Sequence, residues 1–179
     1  MGKIIALIVG SSGSGKTTLC DLLNDKYGLK QVWSYTTRAP RTDDEIGHRF
    51  VTEAEMPDKT EMCAYTLYNG EHYWATHQQV DEADLYVIDK PGVEFFLAHY
   101  RGNKIPKIIK IDVPLIERMK RMAQRGDTEL EIIRRCEFDK RSFRLIHHDA
   151  RFINDDAEKC ADEIYHYICE QEAKLVENP

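Results

Sequence analysis

The stretch from Gly10 to Thr17, GSSGSGKT, has the residue types and spacing of a phosphate-binding loop. It matches the pattern G-x-x-x-x-G-K-[ST] in full, between a predicted strand and a predicted helix. Its glycines let successive backbone N–H groups turn toward phosphate oxygens, and the start of the following helix adds partial positive charge. We therefore expect Lys16 to contact the β- and γ-phosphates of a nucleoside triphosphate, and the Thr17 hydroxyl to bind Mg²⁺.

The predicted nucleotide-binding residues of this loop form one contiguous run. They are Ser12, Gly13, Ser14, Gly15, Lys16, Thr17 and Thr18. The alternative is a Gly/Ser-rich turn with an accidental lysine, but the predicted strand and helix on either side argue against it. The predicted cofactors are therefore ATP and Mg²⁺.

A second candidate phosphate site lies in the stretch SYTTRAPR, from Ser34 to Arg41. Arg38 and Arg41 are three residues apart on a predicted loop, and the proline between them stiffens the chain. Two guanidinium groups so spaced form a fork that matches the oxygens of a phosphate. Two solvated loop arginines are the alternative interpretation, because exposed arginines are common.

Composition and charge narrow the class of partner. The chain has 179 residues, enough for one compact domain, and carries 25 basic against 31 acidic residues, a net charge of −6. An acidic total argues against a general binder of nucleic acid polymers. Nine Lys and Arg residues nevertheless fall between Arg118 and Arg144. This local basic segment favours a small polyanionic ligand.

The cysteines and the amino-terminal stretch bear on location. Five scattered cysteines with no metal-binding spacing predict reduced thiols in a reducing compartment, and hence a cytoplasmic protein. The apolar start MGKIIALIVGSS leads directly into the phosphate-binding loop, so we interpret it as a strand and not as a signal peptide. No run of 18 apolar residues is present, and no membrane span is expected.

Hydrophobic patterns predict strands that alternate with helices. The predicted strands are 3–9, 30–35, 85–89, 107–113 and 151–154, the hairpin is 60–76 with its turn at Asn69-Gly70, and the helices are 15–27, about 91–100, 114–124, 127–146 and 155–176. Such alternation indicates a parallel sheet flanked by helices. The interval 34–82 interrupts it and predicts an inserted subdomain.

The order of the motifs resembles the guanylate kinases, P-loop nucleoside monophosphate kinases. The motifs are the phosphate-binding loop, SYTTRAPR, GHRFV, NGEHYWAT, VID, QRGDTELEIIRR and INDDAEK. The resemblance runs along almost the whole chain and implies a three-layer P-loop NTPase fold with transfer of the ATP γ-phosphate to a nucleoside monophosphate. It also implies one domain in three parts: a core (1–33, 83–117 and 141–179), an acceptor-binding insert of mixed β structure (34–82) and a helical lid (118–140).

The resemblance also implies individual roles. The acceptor-binding residues would be Ser34, Arg38, Arg41, Tyr73 and Asp89, and the catalytic residues Lys16, Arg38, Arg125 and Arg135. Arg121 is a weaker third lid arginine, and Asn154 would lie near the ATP adenine. For Asp89 two alternatives stay open: a place near the Mg²⁺ shell, since it follows an apolar strand, or a simple cap at the end of that strand.

The sequence departs from the guanylate kinase pattern in the acceptor pocket. The family usually has a glutamate that accepts hydrogen bonds from guanine, and Ala64 stands at that position. His48 replaces a phosphate-binding tyrosine in a stretch two residues shorter than usual, and Trp74-Ala75 replaces smaller residues. The lid is also one residue shorter between its arginines. A pocket that hydrogen-bonds a base edge can discriminate by about 10⁴-fold, so the loss of a carboxylate bears on specificity.

These observations predict an ATP-dependent phosphotransferase acting on a nucleoside monophosphate, with GMP or dGMP as the preferred acceptor. One alternative acceptor is a sugar phosphate such as ribose 1,5-bisphosphate, which Ala64 and Trp74-Ala75 leave open. The other alternative is a non-catalytic guanylate-kinase-like binding module, which the complete phosphate-binding loop disfavours. We expect only small-molecule nucleotide partners, no nucleic acid polymer and no membrane, in a monomer or a homodimer.

Overall fold

The central strand of the protein is buried at every position in the computed structural model, which describes residues 3–40, 43, 45–68, 70–142 and 146–177. In chain order the elements are β1 (Ile4–Gly10), α1 (Lys16–Tyr27), β2 (Ser34–Thr36), β3 (His48–Phe50), 3₁₀ turns at Glu53–Glu55 and Lys59–Glu61, β4 (Met62–Tyr68), β5 (Glu71–Thr76), α2 (His77–Asp81), β6 (Leu85–Val87), α3 (Lys90–His99), β7 (Ile105–Asp112), α4 (Leu115–Gln124), α5 (Glu129–Ser142), β8 (Ala150–Ile153) and α6 (Ala157–Glu177).

The core sheet has the strand order β6-β1-β7-β8, and every neighbouring pair is parallel. β1 lies between β6 and β7, with Ala6 opposite both Leu85 and Lys107. Its run of branched apolar residues faces helices on both sides, which is the arrangement that buries a parallel strand completely.

Two apolar clusters cover the faces of this sheet. On one face, side chains of α1 and α6 such as Leu23 and Ile164 pack against Ile8. On the other, Phe96 of α3 packs among Leu7 and the buried residues of β4. α3 also packs against β4, so one helix joins the core sheet to the second sheet.

The second sheet has the strand order β3-β2-β5-β4 and is mixed. β2 is parallel to β3 and antiparallel to β5, while β4 and β5 form the predicted hairpin, with Gly70 at φ 87° in its turn. The parallel sheet between helices and the separate mixed sheet confirm the predicted α/β fold class.

One predicted strand was wrong. We expected Lys30 to Tyr35 to form a strand, but this segment passes from one sheet to the other. Gln31 makes an isolated parallel bridge to Leu85 of the core sheet, and a strand begins only at Ser34, in the second sheet. Trp33, which is 45% exposed, lies between the two positions, so neither sheet pairs the whole segment.

The parallel topology brings four chain segments to one edge of the core sheet. Gly10 ends β1, Asp89 follows β6, Val113 follows β7 and Asn154 follows β8. Because the carboxyl ends of parallel strands meet at the same edge, this is where ligands of α/β proteins bind. Within the described ranges, no helix has both the length and the apolar character needed to cross a membrane.

Candidate active site

The predicted phosphate-binding loop follows β1, and α1 begins immediately after it at Lys16. Gly13 and Gly15 have φ angles of 76° and 83°, in the left-handed region that favours glycine. A Cβ atom on Gly13 would lie 2.7 Å from the carbonyl oxygen of Arg118, so the loop also has no room for a side chain there. Thr17 and Thr18 are exposed in the first turn of the helix.

Lys16 reaches back over the loop. Its ammonium group donates to the carbonyl oxygens of Gly10 at 2.7 Å and Ser11 at 3.2 Å. Burial lowers the pKa of Lys16 to about 8, because a charged amine is disfavoured away from water. The nearby carboxylate of Asp139 acts in the opposite direction but is the smaller effect.

Asn154 supports the loop from β8. Its side chain is only 2% exposed, and its amide nitrogen donates to the carbonyl oxygen of Ser14 at 2.8 Å. Arg121 of α4 donates to the backbone oxygen of Asn154 at 3.1 Å and so belongs to the same layer of contacts. Asn154, which was predicted to lie near the ATP adenine, therefore contacts the backbone of the loop in this structure.

A carboxylate that the sequence analysis did not select lies on the loop. Asp139 of α5 is 4% exposed and accepts from the backbone N–H of Ser12 at 2.8 Å. Arg118 donates to the same carboxylate at 3.2 Å and to the carbonyl oxygen of Ser12 at 3.2 Å. Burial raises the pKa of Asp139. Its position one helical turn after Arg135 was the available signal, because residues four apart share a helix face.

Of the two arginines predicted to form a phosphate-binding fork, the structure describes Arg38. Arg38 pairs with Glu45 at 2.7 Å, with both side chains 16% exposed, and its guanidinium carbon is 5.4 Å from the centre of the Phe50 ring. The bond to Glu45, with a smaller effect from Tyr73, raises the pKa of Arg38. Arg41 lies outside the described residues.

Ser34, His48 and Tyr73 adjoin Arg38. The Ser34 hydroxyl is 3.0 Å from Nδ1 of His48, and the His48 ring meets the edge of the Tyr73 ring with centroids 5.7 Å apart. Ser34 is 6% exposed. His48, where a tyrosine was expected, thus fills the space between two predicted acceptor-binding residues.

Asp89 both caps a helix and faces the pocket. One carboxylate oxygen accepts from the backbone N–H of Gly92 at 2.9 Å, which caps the start of α3. The other accepts from the hydroxyl of Thr66 at 3.0 Å. Burial raises the pKa of Asp89, while the bonds from Gly92 and Thr66 lower it.

A cavity of about 240 Å³ brings these groups together. It is lined by Gly10, Ser12, Lys16, Ser34, Arg38, His48, Tyr65, Thr66, Tyr68, Tyr73, Tyr86, Val87, Ile88, Asp89, Gly92, Arg135, Phe138 and Asp139. Lys16 of the loop and Arg38, which follows β2, therefore line one cleft. Among the described residues, the buried side-chain polar atoms without a hydrogen-bond partner are Ser14 Oγ, Arg38 Nε and Asn154 Oδ1, and all belong to this region.

The two principal lid arginines differ in position. Arg135 lines the cavity and lies 3.5 Å from Asp127. Arg125 pairs with the same carboxylate at 2.5 Å, but its side chain is 50% exposed and it does not line the cavity. The structure thus brings one of the two predicted catalytic lid arginines to the site.

Three departures expected in the acceptor pocket do not line the cavity. Ala64, Trp74 and Ala75 are at most 1% exposed and pack in the interior. Trp74 stacks on the Tyr35 ring with centroids 5.4 Å apart, which explains the large side chain at this position. The cavity is instead lined by aromatic residues, of which Tyr86 and Phe138 were missed because they lie on β6 and α5, outside the hairpin.

A family model described as an AAA domain matches residues 6–141, which is more than half of the chain. The chain belongs to this family. The match begins in β1, contains the whole phosphate-binding loop and ends in α5. It therefore spans every described wall of the cavity.

Relatives of this AAA-domain protein agree with the resemblance expected from its motifs. A guanylate kinase of Porphyromonas gingivalis is 26% identical, covering 97% of this chain and 100% of the relative. One of Nitrosomonas europaea is 29% identical, covering 95% of this chain and 90% of the relative. The predicted resemblance to guanylate kinases is confirmed, and the chain is an ATP-dependent phosphotransferase.

Solved structures show the same fold. A guanylate kinase from Anaplasma phagocytophilum superposes with a TM-score of 0.57 at 20% identity, covering 96% of this chain and 87% of that chain. A sugar kinase from Janibacter sp. HTCC2649 superposes with a TM-score of 0.56 at 13% identity, covering 93% of this chain and 94% of that chain. At such low identities both likenesses concern the fold alone.

The lowered pKa of Lys16 predicts that ATP binding takes up a proton at alkaline pH. The amine has a pKa of about 8 in the empty protein against an ordinary value of 10.5. The folded chain therefore holds fewer protons than the unfolded chain between these pH values, and this group makes stability rise with pH across that window. Triphosphate charge restores the protonated amine, so ATP affinity should fall as pH rises through about 8.

Titration calorimetry in two buffers of different ionisation enthalpy measures this uptake. At pH 8.5 we expect about half to one proton per ATP bound, and almost none at pH 7. The Lys16→Met variant should show no such difference between the two pH values. Equal proton uptake by the variant and the wild type would assign the effect to another group.

Because Asp139 contacts Ser12 of the loop, we predict that its negative charge weakens ATP binding. Asp139→Asn removes a negative charge from the loop and should tighten ATP binding roughly tenfold, about 1.4 kcal/mol. Calorimetric titration with Mg-ATP measures the change, and Glu137→Gln, an exposed position on the same helix, is the matched control. Weaker ATP binding by Asp139→Asn would show instead that the carboxylate holds the loop in its binding conformation.

Proposed function

We propose that this protein is a nucleoside monophosphate kinase that transfers the γ-phosphate of ATP to a nucleoside or deoxynucleoside monophosphate, with GMP or dGMP preferred. The observation that carries the proposal is the shared cavity, which both Lys16 and Arg38 line. A donor phosphate on the loop and an acceptor phosphate at Arg38 would then lie in one cleft.

The donor half of the proposal rests on the loop. Lys16 would bind the β- and γ-phosphates, with backbone N–H groups of Ser12 to Thr18 around them. The residues present fit Mg²⁺, since Thr17 offers an exposed hydroxyl at the start of α1, and Mg²⁺ commonly takes few protein ligands beside phosphates and water. The ion would neutralise charge on the transferring group.

The acceptor half rests on the second sheet. Arg38 now pairs with Glu45, and an acceptor phosphate would replace that carboxylate as its partner. Tyr73, beside Arg38, would donate its hydroxyl to the same phosphate, and Ser34 and Asp89, which also line the cavity, would contact the rest of the acceptor. Arg41 completes the proposed set, as the motif implies.

The chemistry asks for position and charge more than for covalent help. Phosphoryl transfer depends on in-line placement of the two substrates and on positive charge around the transferring group. Lys16, Arg38 and Arg135 all line the cavity and would supply that charge. Arg125 would join them only after movement of its segment, since its side chain is half exposed.

A coupled assay of ADP release tests the proposal. The purified chain with Mg-ATP is offered GMP, AMP, CMP, UMP and TMP, their ribo- and deoxy-forms, and ribose 1,5-bisphosphate. Fastest turnover with GMP or dGMP supports the proposal, and preference for a pyrimidine nucleotide contradicts the guanine assignment. Faster turnover of ribose 1,5-bisphosphate would identify a sugar-phosphate kinase. Tight Mg-ATP binding with no turnover of any acceptor would identify a binding module.

A further inference from the structure

The position expected to read the guanine base is buried away from the cavity. Ala64 is 1% exposed and packs with Ile88 and Val93 in the core. It has no polar side-chain atom with which to contact a base. Any hydrogen-bonding readout of the acceptor base must therefore come from other residues of the pocket.

Thr66 is the neighbouring position on the same face of β4. Residues two apart in a strand point to the same side, and Thr66 lines the cavity whereas Ala64 lies deeper. It stands directly opposite Tyr73 in the hairpin. Its hydroxyl is 3.0 Å from the Asp89 carboxylate, which also lines the cavity.

The hydrogen of the Thr66 hydroxyl is committed to Asp89. An ionised carboxylate can only accept, so in this 3.0 Å bond the threonine is the donor. The other oxygen of Asp89 already accepts from the Gly92 N–H. The hydroxyl oxygen of Thr66 and the carboxylate of Asp89 keep further lone pairs. Thr66 and Asp89 together therefore present two adjacent hydrogen-bond acceptors and no donor.

We propose that Thr66 and Asp89 form the base-reading element of the acceptor site and select a base edge that carries two adjacent N–H donors. Guanine offers such an edge through N1–H and the 2-amino group. This inference rests on the proposed function. It assigns to Thr66, together with Asp89, the base contacts expected of a glutamate at the position of Ala64.

Other bases present less suitable edges to the same pair. Adenine would direct its unprotonated N1 at an acceptor, which leaves a desolvated lone pair without a donor. Uracil and thymine have one N–H between two carbonyl oxygens, so one of these oxygens would face an acceptor of the Thr66–Asp89 pair. Hypoxanthine keeps N1–H and lacks only the 2-amino group, so the ratio of GMP to IMP turnover isolates the second donor.

The remaining pocket surface suits a flat ring. Tyr65, Tyr68, Tyr86 and Phe138 line the cavity together with Thr66. Tyr68 and Phe138 meet edge to face, with ring centroids 5.0 Å apart. Aromatic faces of this kind hold a planar base by stacking and leave discrimination to the few polar groups at its edge.

The test compares Thr66→Val, which keeps the shape and removes the hydroxyl, with Thr66→Ser, which restores it. For Thr66→Val we expect kcat/KM with GMP to fall about 10- to 100-fold, and the GMP to IMP ratio to fall with it. Thr66→Ser should recover most of the kcat/KM with GMP and most of the GMP to IMP ratio. The Kd for Mg-ATP should be unchanged in both variants. Thermal unfolding of all three proteins shows whether the valine variant is folded.

A merely structural bond between Thr66 and Asp89 gives a different result. Thr66→Val would then lower turnover of GMP and IMP by the same factor, which overturns the inference. Wild-type preference for a base without two adjacent donors also overturns it, although the kinase assignment stands. If the wild type turns over no nucleotide, calorimetric Kd values for GMP and IMP with Thr66→Val decide the inference by the same ratio, while the proposed kinase function fails separately.

Discussion

Lys16→Met is expected to lower kcat by about 10²- to 10³-fold, the usual cost of removing one charged group that stabilises a transition state. The methionine has almost the length of lysine, so the change removes charge with little loss of volume. In the empty protein the amine is bonded to the carbonyl oxygens of Gly10 and Ser11, which a phosphate chain would replace.

The coupled ADP assay at saturating ATP and acceptor measures this loss. Lys159→Met is the control, because that lysine is 69% exposed on α6 and does not line the cavity. We expect the control to keep wild-type kcat. A Lys16→Met variant with more than half of wild-type kcat would contradict the assignment of the loop as the donor site.

Arg38→Met is expected to lower kcat/KM for the acceptor by about 10²-fold or more and to leave the Kd for Mg-ATP unchanged. The reason is that Arg38 lies in the segment that follows β2 of the second sheet, outside the phosphate-binding loop, although both line the cavity. The size of the effect follows from the loss of charge-assisted hydrogen bonds to a phosphate.

Arg49→Met is the matched control for this second change. Arg49 is exposed on the adjacent strand, where it contacts the Tyr35 hydroxyl at 3.0 Å, and it does not line the cavity. Glu45→Gln gives a complementary measurement, since loss of the competing carboxylate should lower the KM for the acceptor. Equal weakening of ATP and acceptor binding by Arg38→Met would mean that the arginine does not distinguish the two substrates.

The parts of the site that could be predicted from sequence are those in which neighbouring residues act together. The loop from Gly10 to Thr17 is one contiguous pattern, so its strand, its turn and its helix start followed from local chemistry. The hairpin around Gly70 was equally local, because a turn residue stood between two alternating runs.

The parts that could not be predicted depend on contacts between distant segments. Asp139 reaches Ser12 from a helix more than a hundred residues away, and Phe138 meets Tyr68 across the cleft. The segment from Lys30 to Tyr35 has the composition of a strand, but its assignment to two sheets depends on partners that sequence patterns do not identify.

Thr66 was missed for a more specific reason. The position expected for a glutamate directed attention to Ala64, and the strand register is irregular between Met62 and Ala64. Alternation from Ala64 would have given Thr66 and Tyr68 the same face, but the depth of each side chain depends on how β4 packs against α3. That packing is a tertiary property.

Two consecutive residues of helix α5 contact the hairpin and the phosphate-binding loop. Phe138 contacts Tyr68 of the hairpin, and Asp139 contacts Ser12 of the loop. The cavity of about 240 Å³ is smaller than the roughly 300 to 1,000 Å³ usual for small-molecule sites, and the proposed reaction needs room for a donor and an acceptor. Withdrawal of this one helix would uncover both substrates at once. A single displacement would then open the way out for both products.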